Sequence, residues 1–322
     1  MRKLPLLLLP LLLISCGSDD DDDRSTPTAA ATPSPSPTPS PSPTPTPSPT
    51  PTPTPTASSG SSTYAQLTGE TSLSTAQASY NVTATPPQFR SFDAFGNGPT
   101  LRYNATNRSY DVKVGTTTES FAASEIDGSA PAGTTRYAKA NGHTLAVVQP
   151  SAGGRGFDYL RFARWTSQDA TGPFAATFLT GLPTLGADVP TTGTVTLSRT
   201  VVAGEAYVTA NGATTAYSLG NSQLTITIDY GSGLVTGRLT LIGTPVSGGA
   251  DVSLITLDAK FDFSGLGGFN VASGSYAADS TSKLAGVFFG PKAAETGLLL
   301  HLSALNPSGA TLKVVATGAA GS

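Results

Sequence analysis

The chain has 322 residues and a formal net charge of −3, from 18 basic and 21 acidic side chains. Setting aside Arg2, Lys3, Arg24 and the aspartates of 19–23 leaves 15 basic and 16 acidic groups. A body so near neutral carries no basic footprint for nucleic acid and no strong steering field. Its single cysteine excludes an intramolecular disulfide and any cysteine-built metal site.

The start of the chain reads as an export signal. Arg2-Lys3 is a short basic region, and residues 4–14 are an apolar run of 11. A helix needs about 20 apolar residues to cross a bilayer, so residues 1–15 are expected to be a lipoprotein signal peptide. Leu13-Ile14-Ser15-Cys16 has the form of a bacterial lipobox. It predicts cleavage before Cys16 and acylation (palmitate included) of that residue, so that the protein meets the membrane through an N-terminal lipid. The plainer alternative is a stray cysteine after a signal sequence. Gly17 and Ser18 follow without an adjacent Asp, which by likeness to enterobacterial sorting favours the outer membrane. Asp19 to Asp23 form an acidic run, which is solvated and extended or serves as an export tag for surface lipoproteins.

Residues 26–56 are almost wholly Pro alternating with Ser or Thr. Such a tract cannot bury a core and favours polyproline II. At ~3.1 Å per residue it reaches on the order of 90 Å. Residues 16–63 are therefore expected to be a disordered, Pro-rich stalk that holds a domain away from a membrane.

From Tyr64 onward no long window shows the 3.6-residue period of an amphipathic helix. Short Thr-, Val- and Leu-rich runs are divided by Gly, Asn, Asp and Pro, which predicts an all-β fold. Residues 100–114 read as one hairpin. Residues 135–148 read as another, turned by Asn141-Gly142. In 157–165, Phe157, Tyr159, Arg161, Ala163 and Trp165 alternate with Asp158, Leu160, Phe162 and Arg164. Both sets hold bulky apolar residues, so this strand is expected to be buried on both sides. Residues 181–193, with Pro183 and Pro190, mark a boundary.

The second half reads as successive hairpins. Leu224, Ile226, Ile228 and Tyr230 share one face; Val235, Gly237, Leu239 and Leu241 share the next. Leu257, Ala259, Phe261 and Phe263 alternate with Asp258, Lys260 and Asp262, giving a dry face and a wet one. Further strands are expected at 271–277, 284–289, 298–302 and 312–316. Eight strands is a natural size for a closed barrel whose interior fills with side chains.

One stretch organises this half. Val287 to Phe289 suit a strand, Gly290-Pro291 ends it, and Leu298, Leu300 and Leu302 repeat at strand spacing. Residues 293–295 add a helical turn between. Gly286-Val-Phe-Phe-Gly-Pro-Lys-Ala-Ala-Glu-Thr-Gly-Leu298 resembles the signature G-x-F-Y-G-P-x-A-x-E-x-G-G of transferrin-binding-protein-B-like bacterial surface lipoproteins. Phe289 stands for the usual Tyr and Leu298 for the second Gly. Tyr159, Phe162 and Trp165 also stand at the Tyr-x-x-Phe-x-x-Trp spacing of that family's handle.

The resemblance implies a β-rich handle subdomain over 64–190 and an eight-stranded antiparallel β-barrel over 191–322. It implies a monomeric outer-membrane lipoprotein that binds a protein or a haem-type or metal-carrier ligand, in nutrient uptake. No ligand residues carry over, because the family's binding loops have no matching signature here.

Chemistry is sparse. His143 lies beside a turn and is expected to be solvated; His301 lies opposite the leucines of its strand. Neither forms a spaced metal motif. Asp258 and Asp262, four strand residues apart, are ~13 Å distant, with Lys260 between them. There is no Gly-x-Ser-x-Gly elbow, Walker loop or His-Glu-x-x-His. The expectation is no catalytic residue, no metal and no cofactor, with Cys16 as the one assigned site. The alternatives are a passive envelope lipoprotein without a specific small ligand, and an enzyme whose site assembles from distant residues.

Overall fold

The computed structural model describes residues 62–263 and 266–322, with the backbone alone at 266. Cys16, the leader, the acidic run and the Pro-rich tract lie outside the described residues. What is described is all-β: two large antiparallel sheets, with only single turns of 3-10 helix between strands.

The first sheet uses β1 (Glu70–Asn81), β2 (Gln88–Asp93), β3 (Thr100–Asn104), β4 (Ser109–Val114), β5 (Thr117–Phe121), β6 (Ile126–Asp127), β7 (Thr134–Ala138) and β8 (Thr144–Val148). After a small separate hairpin, β9 (Ser151–Ala152) and β10 (Arg155–Gly156), it adds β11 (Leu160–Asp169) and β12 (Gly172–Gly181). Its order is β5-β4-β3-β1-β12-β11-β8-β7-β6, with β2 also on β1. The sheet curls until its two ends share a core. Phe121 of β5 and Tyr137 of β7 stand 6.0 Å apart as ring centroids, and Trp165 meets Phe174 edge-on at 5.1 Å.

The second sheet comprises β13 (Thr194–Leu197), β14 (Arg199–Ala210), β15 (Ala213–Ser218), β16 (Gln223–Asp229), β17 (Leu234–Pro245), β18 (Val252–Asp262), β19 (Leu266–Ser273), β20 (Ala277–Ala278), β21 (Lys283–Phe289), β22 (Glu295–Leu305) and β23 (Thr311–Gly321). Eight of these close a ring: β14-β15-β17-β18-β19-β21-β22-β23 and back to β14. Two joints are short: β19–β21, paired at Leu266–Ala285 and Gly267–Leu284, and β15–β17, paired at Tyr217–Pro245 and Ser218–Thr244. At the second of these β17 changes partner, since its first seven residues pair with β16, which in turn carries β13. The eight-stranded barrel is thus present, with two extra strands at one joint.

Alternation builds its interior. Leu224, Ile226 and Ile228 of β16, Val235, Leu239 and Leu241 of β17, and Leu257, Ala259 and Phe261 of β18 all enter one core. Leu298, Leu300 and Leu302 of β22 enter it from the opposite wall. Three expected positions differ. Phe263 falls one residue past β18 and stays exposed, its ring 5.0 Å from Phe288. Tyr230 falls one past β16 and is only partly buried. The strand expected at 271–277 starts at Leu266 and ends at Ser273.

The Asn141-Gly142 turn also differs from the two-residue form. Gly142 N–H donates to Lys139 O at 3.0 Å and Lys139 N–H to His143 O at 2.9 Å, so a longer loop closes this hairpin. Gly142 holds the left-handed conformation at φ 85°, as a type I turn with a following bulge requires.

A third core joins the sheets. The outer faces of β14, β21, β22 and β23 contribute Val201, Ala285, Leu299, Val315 and Ala319. They meet Ala76, Ala78, Tyr80, Leu160, Phe162 and Leu179 of β1, β11 and β12. Strand β11 is therefore buried on both faces, as its pattern predicts: Trp165 and Ala163 enter the curled sheet's core, Leu160 and Phe162 the seam. Phe157 packs with Leu160 rather than with Trp165, because the strand begins only at Leu160 and the alternation does not extend back to it.

Candidate functional site

The seam buries Glu295 and His301, and it is organised by the stretch between β21 and β22. Gly290 takes φ 74° and ψ 177°, a left-handed value open chiefly to glycine. A Cβ there would stand 2.5 Å from the ring of Tyr159. Pro291 then opens a single 3-10 turn, Pro291–Ala293, two residues ahead of the helical turn expected over 293–295, and Glu295 already begins β22. The segment after β12 is stitched to this corner. Gly290 N–H donates to Leu182 O at 3.0 Å, Thr184 N–H to Phe288 O at 3.0 Å, and the Thr184 hydroxyl to Gly290 O at 2.6 Å.

Glu295, the first residue of β22, is 2% exposed. Its carboxylate accepts the backbone N–H groups of Asp158 (2.6 Å), Tyr159 (3.0 Å) and Leu160 (3.2 Å), which lead into β11. The Arg199 guanidinium lies 3.9 Å away and rests over the Phe157 ring, 4.1 Å from its centroid. Burial pushes the Glu295 carboxyl above its usual range, while the three amides and Arg199 pull against that shift. A carboxylate buried this deeply is tolerated because charge-assisted bonds replace its water. The signature's Glu is thus a latch across the seam.

His301 projects from the same strand onto the outer face, away from the leucines, as its register predicts. It is 1% exposed. Its ring stacks on Phe89 of β2 at 3.8 Å between centroids and 8° between planes, and Nδ1 shares a 2.9 Å hydrogen bond with the Tyr80 hydroxyl. Burial drives its pKa down to about 4; Asp279 works the other way, and Lys313 and Lys283 add to the fall. The ring is a neutral packing element at neutral pH.

Beside it an open groove runs along the seam. Arg164 of β11 donates to Glu205 of β14 at 2.8 Å, and the Tyr207 hydroxyl donates to the other Glu205 oxygen at 2.9 Å. The pair is part-exposed on both sides. Two hollows flank it, of about 20 and 200 Å³. Arg164, Thr177, Glu205 and Val315 line both, so the ion pair is the ridge between them.

The other singled-out residues resolve as follows. His143 is partly buried and partnered rather than free in solvent: its Nδ1 bonds Glu119 at 3.0 Å, and Glu119 also accepts the Trp165 indole N–H at 2.9 Å. The buried indole needs an acceptor, and the loop bearing His143 closes over it. Tyr159, Phe162 and Trp165 do not form one site. Tyr159 lies under Gly290, Phe162 in the seam and Trp165 in the curled sheet's core. Asp258 faces water as expected, but its partner is Arg238 of β17 at 2.9 Å rather than Lys260. Neighbouring strands present opposed residues closer than positions two apart on one strand. His143 and His301 stay in separate cores, and among the described residues no three His, Cys, Asp or Glu side chains cluster as for a metal.

Sequence reasoning missed Arg164, Glu205 and the role of Glu295. The available signal was the Glu at a fixed place in the signature. Its three amide partners lie some 135 residues earlier.

No family model matches the chain, and no curated protein matches it either. Solved structures similar to it include the intact transferrin-binding protein B Ap-TbpB with its N and C lobes. That match has 17% identity over 77% of this chain and 46% of the other, and a TM-score of 0.43. The isotype 1 transferrin-binding protein B from serogroup B Neisseria meningitidis matches at 15% identity, 78% and 43% coverage and a TM-score of 0.41. HpuA from Kingella denitrificans, in complex with human haemoglobin, matches at 10% identity, 74% and 87% coverage and a TM-score of 0.32. The chain spans less than half the length of these transferrin-binding proteins. At such identities and scores, the fold assignment rests on this chain's own strand pairing.

Proposed function

We propose that this protein is a binding module held on the outer membrane by acyl chains at Cys16, working as a monomer on a protein or haem-carrier ligand. In this reading residues 16–63 are the spacer, 64–190 and 191–322 are the two parts of the body, and the seam groove is the docking face. The observation that carries it is the seam itself. A latch at Glu295, a stack at His301 and a shared apolar core lock the two sheets together, while an open, charged groove is left along their junction. A pre-formed concave surface with a few convergent polar groups is what ligand sites use. Glu295 and His301 are spent on holding the seam together, and the reading assigns no catalytic step.

Protease shaving of intact cells, with mass spectrometry of the released peptides, tests the location. Peptides from 64–322 are expected in the supernatant, and Cys16→Ser is expected to free the protein from the membrane. Protection until the outer membrane is opened would place the body in the periplasm and sink the surface reading. Binding is tested on the full chain with haemin, human haemoglobin and transferrin as probes. Capture that is lost on changing Arg164 to Glu supports the groove. No capture by any probe, together with no partner from spent medium, leaves a passive envelope protein as the better account.

A further inference from the structure

A second cavity, away from the seam, lies at one end of the curled first sheet. The β3–β4 turn, the start of β7, the end of β8 and the start of β11 all reach this end. They bring Tyr103, Arg108, Tyr110, Tyr137, Gln149 and Arg161 around an open space of about 300 Å³, with Tyr64 beside them. That volume is in the range of small-ligand sites.

Its floor is Arg161, only 8% exposed. One guanidinium nitrogen, Nη1, donates to the carbonyls of Phe157 and Leu160, each at 2.7 Å. The group lies 4.2 Å over the Tyr64 ring. Among the described residues no carboxylate pairs with it; Asp158 and Glu295 act on it only through space. Buried charges are normally paired, so this cation faces the cavity without a counter-ion.

The walls are phenols. Tyr64 and Tyr103 rings stack at 5.5 Å, Tyr103 and Tyr110 rings lie 4.7 Å apart, and the Tyr64 and Tyr110 hydroxyls bond each other at 2.8 Å. Burial pushes the Tyr64 and Tyr110 phenols well above their ordinary range and Tyr137 up to about 12. All three keep their protons at neutral pH: the Tyr137 hydroxyl donates to Arg108 O at 2.9 Å, and one of Tyr64 and Tyr110 donates to the other. Arg108 is exposed in the turn and lines the cavity as a second cation.

We propose that this cavity binds a small organic carboxylate, with its carboxylate on Arg161 and its body against the tyrosine walls. A planar guanidinium matches a planar carboxylate edge to edge, and one buried cation balances one negative charge. A phosphate carries nearly twice that charge and would need a second buried cation, whereas Arg108 is exposed. The site is independent of the seam groove, so either reading stands if the other fails.

The test is calorimetric titration of the full chain with sodium benzoate, alongside benzamide and inorganic phosphate. Benzoate is expected to bind, and its neutral isostere benzamide to bind at least tenfold more weakly. Arg161→Gln should lower benzoate affinity tenfold or more. That variant also loses bonds to two carbonyls, so Arg108→Gln, at an exposed position lining the cavity, provides a milder check. It should weaken benzoate several-fold while leaving the melting temperature of the unligated protein unchanged. Failure of the wild type to bind benzoate, equal binding of benzamide, or preference for phosphate would overturn the assignment. So would unaltered benzoate affinity in Arg108→Gln together with Arg161→Gln, or in Arg108→Gln alone if Arg161→Gln does not fold.

Discussion

The barrel has two walls built to different rules. On the seam side every residue of β22 from Glu295 to Leu302 is buried. On the far side β18 alternates: Leu257, Ala259 and Phe261 are buried while Asp258, Lys260 and Asp262 face water. Both strands belong to one closed sheet with the same pleat. The difference is how many cores each touches, since a strand covered on both faces has no solvent side to spend on polar residues. The teaching is that an unbroken apolar run such as Leu298-Leu-Leu marks a second layer, while strict alternation marks a wall facing solvent.

Where a polar group does enter the seam wall, it must be satisfied by the other sheet, and this is where the contrast breaks most sharply. Glu295→Ala removes the acceptor of three backbone N–H groups. At about 1–3 kcal/mol per orphaned buried donor, a loss of 3 kcal/mol or more is expected. For a chain of this size that lowers the melting temperature by about 10 °C, read by near-ultraviolet circular dichroism. A shift of only a degree or two would mean that the latch carries little.

Acid should loosen the same wall. His301 has a pKa lowered to about 4 against an ordinary value of 6.5. A depressed histidine contributes stability that is present above pH 6.5 and is lost as pH falls toward 4, because the unfolded chain takes up the proton first. The full effect is at most about 3 kcal/mol. Denaturant midpoints measured between pH 7 and pH 4 should fall more steeply in the wild type than in His301→Phe. Parallel curves would remove His301 from the account.

Gly290→Ala should cost about 2 kcal/mol, from a strained positive φ and from contact with the Tyr159 ring. The same change at Gly248, also at positive φ but with open space around it, should cost less. Equal losses at both sites would show that only the dihedral matters and that packing across the corner does not.

The smallest effect belongs to the wet wall. Asp258→Asn breaks the exposed pair with Arg238 and should leave the melting temperature unchanged within error, since such pairs are screened by water and salt. A clear, salt-sensitive drop would show that the far wall is not the passive face its alternation indicates.

Much of this was legible in one dimension because it is local. The dry and wet faces of β16, β17 and β18, the corner at Gly290-Pro291, the double burial of β11 and the outward register of His301 all follow from side-chain period and backbone limits. Where the expectations slipped, an element's end was the cause. Phe263, Tyr230 and Phe157 each lie just beyond a strand, where alternation no longer governs.

The sequence by itself determined the all-β class and the inward faces of β16, β17, β18 and β22, because a period of two is written residue by residue. Tertiary structure alone decided which strands close the ring, with β17 handing over from β16 to β15 within its own length. It also decided that the outward face of β22 meets a second sheet instead of water. Glu295 finds its amides and His301 its phenol across 135 to 221 residues of chain. No local pattern encodes such partners, because a buried polar group is chosen to fit what folding brings against it.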